Sequence, residues 1–107
     1  MVKRLTMWHT RPGVPREQAV YHWLTGHAAL VLAVPGVGRY VQNKCIPAPG
    51  GTDPPYAGLG EVWFDSVDAA VESQDTPEWQ TVIEDASTFM DLDQLVVAWA
   101  EEHTTPR

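Results

Sequence analysis

Between Val20 and Asn43 the chain changes its repeat once, and that change limits what it can build. Val20, Trp23, His27, Leu30 and Val34 recur at helical spacing, and Leu24 and Val31 widen the stripe. Pro35-Gly36 then stops the helix. From Gly38 to Ile46 the period drops to two. Gly38, Tyr40, Gln42 and Lys44 fall on one face, with Arg39, Val41, Asn43 and Cys45 on the other. An amphipathic helix followed at once by a strand buries its stripe by folding back onto a sheet. His27 on the stripe and Tyr40 on the strand can then face one pocket.

The flanking segments supply the remaining layers. Val2 to Thr10 reads as a strand, with Leu5, Met7 and His9 on one side and Arg4, Thr6 and Trp8 on the other. Arg11-Pro12-Gly13 is a turn, and Pro15 suits the first turn of a helix running from about Pro15 to Val34. Gly26 weakens that helix by about 1 kcal/mol relative to Ala and is expected to leave room beside His27. Pro47 to Pro55 is a long loop, read either as a lid or as a surface connector. Tyr56 to Asp65 is the third strand. Glu61 and Trp63 share one of its faces and Val62 and Phe64 the other, and Gly58 and Gly60 mark a close approach.

Ser66 caps a short helix through Asp68 to Ser73. Thr76-Pro77-Glu78 opens a second helix reaching about Met90, with Trp79, Val82, Ile83, Ala86 and Phe89 as its stripe. Asp91 to Glu101 is the last strand, and the polar tail from Glu102 to Arg107 frays. The order βαββαβ predicts an α+β ferredoxin-like sandwich. It is a four-stranded antiparallel sheet with helices on one face. The apolar side chains of the other face predict sheet-to-sheet dimerisation.

Bulk properties narrow the function. The 107 residues are read as one domain spanning 1–107. A net charge of −7 argues against nucleic acid and anionic membranes as partners. No signal peptide or apolar span is recognisable, and the only cysteine is Cys45, so neither a disulfide nor a cysteine metal cluster is expected. A reducing cytoplasm fits. Phosphate loops, nucleophile elbows and dinucleotide fingerprints are absent from the sequence.

Taken in order, Arg11-Pro12-Gly13, His22-Trp23, His27-Ala28, Pro35-Gly36, Arg39 to Asn43 and Gly60 to Ser66 resemble the EthD family of the dimeric α/β-barrel superfamily. The resemblance implies a homodimer whose two sheets close into a barrel, with a pocket between sheet and helices in each subunit. It also implies several chemistries. One founding member accompanies an ether-degrading cytochrome system. A methylmuconolactone isomerase of similar fold uses no cofactor. Fungal members resemble dehydratases of polyketide pathways, and related barrels include cyclases and cofactor-free monooxygenases. In the isomerase a helical histidine stands at the distance of His27 before Pro-Gly, and a tyrosine follows at the place of Tyr40.

On this reading His27 is the expected proton shuttle. Burial lowers an imidazole pKa, and a neutral ring accepts a proton from carbon or oxygen. The ordinary alternative is a buried histidine satisfied by a carbonyl. Tyr40 is the expected oxyanion donor, against a strand tyrosine with its hydroxyl at the rim. Gln42 is set to orient a substrate oxygen, against a rim hydrogen bond. Glu61 is set to orient His27 or act as acid, against a salt bridge with Arg39 or Lys44. His9 is a secondary candidate at the pocket mouth. Trp8, Trp23, Trp63 and Trp79 are candidates to line an aromatic pocket, against plain core and dimer packing.

His22 and His103 are expected in solvent. A metal held by His9, His22 and His27 is disfavoured because His22 and His27 are five residues apart. The expectation is therefore a lyase or isomerase without cofactor or metal, acting on a small hydrophobic, cyclic or aromatic-like metabolite. The alternatives are a non-enzymatic binding or accessory protein and a cofactor-free monooxygenase.

Overall fold

The protein is described by a computed structural model over residues 2–107. Four strands are present: β1 (Val2–Trp8), β2 (Val37–Lys44), β3 (Gly58–Phe64) and β4 (Val96–Glu101). They form one antiparallel sheet in the order β2-β3-β1-β4. The fold is the ferredoxin-like α+β sandwich that the element order predicts. The helices α1 (Arg16–His22), α2 (Ala28–Leu32), α3 (Val67–Ser73) and α4 (Pro77–Ala86) cover one face. Among the described residues no helix is long and apolar enough to cross a membrane.

The long first helix is not continuous. Trp23–His27 forms a π-helical turn between α1 and α2, which adds a residue to the turn at that point. Two local features accompany it. Thr25 Oγ1 donates back to the Tyr21 carbonyl at 2.7 Å, a bond that bends helices. Gln42 Nε2 donates to the Trp23 carbonyl at 2.7 Å and ties the turn to β2. Gly26 makes room beside His22, not His27: a Cβ there would stand 3.1 Å from His22 Cε1.

Trp23 is drawn onto the sheet because β3 has no side chains beneath it. A Cβ on Gly58 would lie 2.6 Å from both the Trp23 ring and Trp8 Nε1. The close approach expected at Gly58 and Gly60 is therefore the seat of Trp23. Trp8 and Trp23 are fully buried and meet edge-on at 5.3 Å between ring centroids.

Other boundaries shift for local reasons. Thr76 caps α4 by accepting from the Trp79 N–H, and α4 ends at Ala86, short of Met90. Asp91 accepts from the Asp93 N–H and opens a 3₁₀ turn, Leu92–Gln94, where the last strand was expected to begin. The Pro47 to Pro55 loop lies beside α1, where Arg16 donates to the Pro54 carbonyl at 3.2 and 3.3 Å.

Candidate active site

The helix-facing side of the sheet carries Arg4 and Thr6 from β1, Tyr40 from β2 and Val62 from β3. Together with Trp23 and His27 from the π turn and Trp79 and Val82 from α4, they line a cavity of about 40 Å³. His27 is 3% exposed. Its Nδ1 lies 2.8 Å from Oδ2 of Asp85 on α4. Nε2 of His22 lies 2.9 Å from both oxygens of the same carboxylate. One aspartate thus joins two imidazoles.

The π turn makes this possible. In an α-helix, residues five apart point about 140° from each other. The wider turn brings them closer to one line, and Phe89 meets both rings edge-on, each at 5.1 Å. His22 is therefore not the free surface residue that helical spacing predicted. Its side chain is still 42% exposed, against 4% for His27. His22 and Asp85 line an outer hollow, whereas His27 lines the inner cavity.

The electrostatics follow from this placement. Burial pushes the His27 imidazole below its ordinary value, and Asp85 offsets part of that shift. Burial alone would push the Asp85 carboxyl up, but the bonds from His22 and His27 outweigh it and hold it below the ordinary carboxylate value. An ionised carboxylate only accepts hydrogen bonds, so the His27 Nδ1 carries the proton and donates it. In the neutral ring Nε2 then holds the lone pair, and it has no hydrogen-bond partner among the described residues. Burial pushes Tyr40 up to about 12, against the opposing pull of Trp23, Gln42 and Arg4, so its hydroxyl stays protonated. The cavity lining thus includes a neutral imidazole and a protonated phenol.

The remaining sequence candidates separate. Trp23 lines the cavity. The Gln42 amide is occupied by the Trp23 carbonyl, which makes it a brace of the π turn. Glu61 and Trp63 lie on the opposite face of the sheet. Glu61 accepts from Lys3 Nζ and Asn43 Nδ2, each at 3.1 Å, so its ion-pair partner is Lys3 and not Arg39 or Lys44. Trp63 is covered by Lys3 and Arg39, with the cations 4.9 and 4.6 Å from its ring centroid. His9 packs on Tyr56 at 4.6 Å and does not reach the cavity. Trp8 is core, sealed beneath Trp23 and Phe89. No residue of the Pro47 to Pro55 loop lines the cavity. Among the described residues no group of three or more His, Cys, Asp or Glu is placed to hold a metal ion.

Asp85 is the residue that sequence reasoning missed. The available signal was its spacing, three after Val82 and four before Phe89, which puts a carboxylate on the buried stripe of α4. Arg4, on the Trp8 side of β1 as the alternation predicts, also lines the cavity.

The comparisons agree with the fold. A search of curated protein sequences finds no match. Among solved structures, an ethyl tert-butyl ether D (EthD) family protein from Bacillus halodurans superposes with a TM-score of 0.79 at 20% identity, covering 96% of this chain and 100% of its own. A dimeric ferredoxin-like protein of unknown function from Thermobifida fusca gives 0.71 at 15% identity over 92% of this chain and 88% of that one. SnoaB, a cofactor-independent oxygenase from Streptomyces nogalater, gives 0.68 at 10% identity over 97% and 94%. At these identities the likeness establishes the fold alone. The EthD domain family model, however, matches residues 11–93, most of the chain. On the strength of that match, this chain belongs to the EthD domain family.

Proposed function

We propose that the protein is a cofactor-independent lyase or isomerase that moves a proton on a small cyclic or aromatic-like metabolite. The observation that carries this reading is the His27–Asp85 bond, which turns the Nε2 lone pair of a buried, neutral imidazole into an available base on a cavity shared with Tyr40. His27 Nε2 takes a proton from a carbon next to a carbonyl. The C–H electron pair moves onto the carbonyl oxygen, and the resulting enolate accepts a hydrogen bond from the Tyr40 hydroxyl. Asp85 stabilises the imidazolium. The proton then returns to a different carbon in an isomerisation, or leaves with a hydroxide as water in a dehydration.

The cavity of about 40 Å³ is far below the few hundred Å³ of an ordinary ligand pocket. A ring-sized substrate therefore needs part of the cavity wall to move. The protein is read as a homodimer joined through its outer sheet faces. The dimeric Thermobifida fusca neighbour and the half-buried Leu5, Met7, Val41 and Leu59 support that reading.

The test is turnover of candidate lactones and polyketide intermediates by wild type and His27→Gln. A fall of about 10²–10⁴-fold with the fold intact is the expected result. Ligand binding without turnover in either protein would favour a binding or accessory role. Oxygen uptake coupled to turnover would favour a cofactor-free monooxygenase instead.

A further inference from the structure

Arg4 stands in the middle of β1, paired with Val62 on one side and Trp99 on the other, and its side chain lines the His27 cavity. Its guanidinium lies 5.0 Å from the centroid of the Trp79 ring. Among the described residues no hydrogen bond or salt bridge involves it. Acidic partners are not scarce, since the chain has 14 Asp and Glu against 7 Lys and Arg. Lys3, one residue earlier and on the other face, has two of them, Glu61 at 3.1 Å and Glu102 at 3.4 Å. A half-buried cation without an anion is costly, and stacking on an aromatic ring replaces only part of its lost hydration.

The other polar groups on the cavity wall leave that charge uncancelled. Tyr40 and Thr6 are neutral hydroxyls, and the Asp85 carboxylate lies outside the lining, engaged by His22 and His27. The planar fork of an arginine matches a carboxylate through two parallel hydrogen bonds. A volume of about 40 Å³ holds a group of a few atoms as the cavity stands.

We propose that Arg4 is the anion-binding residue of this cavity and that the ligand is a small planar carboxylate, held by Arg4 with its reactive carbon toward His27. This rests on the cavity being the substrate site. It adds a ligand class to that reading, and a binding residue on β1. The contact with Trp79, 5.0 Å from its ring centroid, keeps the guanidinium at the cavity wall.

The test is an NMR titration of the full chain with crotonate and with its neutral carboxamide, crotonamide, at matched ionic strength. It follows the Trp79 indole and His27 ring signals. Wild type is expected to bind the carboxylate at least about tenfold more tightly than the amide. Arg4→Met should abolish that preference, and Arg4→Lys should retain part of it. Arg4→Gln serves as the second neutral variant if Met disturbs the Trp79 packing. Equal binding of the two probes, no response to either, or a preference that survives both neutral variants would overturn the proposal. His27→Gln should keep the preference while losing turnover, so failure of the anion site and failure of the acid-base reading are separable.

Discussion

Nδ1 of His27 and Oδ2 of Asp85 stand 2.8 Å apart although 58 residues separate them in the chain. The bond sets the tautomer of His27, with the proton on Nδ1 and the lone pair on Nε2. It also gives a protonated ring an immediate counter-charge. A buried histidine without that carboxylate would have neither a defined orientation nor a stabilised charged form.

Asp85→Asn should therefore keep the shape and lose the function. The amide can present its N–H to His27 and favour the wrong tautomer. Turnover is expected to fall by about 10²–10⁴-fold, mainly in kcat, with the fold retained by circular dichroism. Wild-type turnover in this variant would remove Asp85 from the mechanism.

Tyr40→Phe removes one hydroxyl from the cavity wall and little volume. If that hydroxyl meets charge that develops only in the transition state, kcat should drop by about 10²–10³-fold with KM nearly unchanged. Because burial pushes Tyr40 up to about 12, its ionisation should leave no alkaline limb in the rate profile below that pH. A change confined to KM would instead assign Tyr40 to ground-state binding.

Stability should fall on the acid side. The folded pKa of His27 lies below its ordinary 6.5, so the unfolded chain takes up that proton first as pH drops. Its contribution is fully present above about 6.5 and is lost as pH falls toward the depressed folded value. The folded pKa of Asp85 is likewise below its ordinary 3.8, so its contribution is present above that value and is lost as pH falls through the folded pKa. Both slopes have the same sign. Thermal unfolding across pH 7 to 3 should show a declining Tm, and His27→Gln should flatten the upper part of the decline. An unchanged profile in that variant would contradict the assignment.

Gly58→Ala tests the seat of Trp23. The new Cβ would stand 2.6 Å from two rings that are themselves fully buried, so the rings cannot simply swing aside. A loss of about 1–3 kcal/mol in denaturant unfolding is expected, the ordinary cost of overpacking. A neutral result would mean that the π turn shifts to absorb the methyl group.

The element order, the stop at Pro35-Gly36 and the placing of His27 on a buried stripe were legible because they depend on local period and turn chemistry. Alternation also sorted each strand correctly: Glu61 with Trp63, and Val62 with Phe64. It could not say which set meets the helices, since a two-residue period is symmetric about the sheet. That is why Glu61 and Trp63 were expected at a cavity from which the sheet itself separates them.

The amino-acid sequence by itself thus determined the ferredoxin-like order, the buried His27 and the face shared by Tyr40 and Gln42. Tertiary structure decided the rest. Trp23 settling on the bare backbone of Gly58, with Gln42 bracing its carbonyl, accompanies a π turn that no helical period announces. That turn brings His22 into line with His27, and α4 places Asp85 between them. Such a site depends on contacts between residues distant in the chain, and local periodicity carries no information about them.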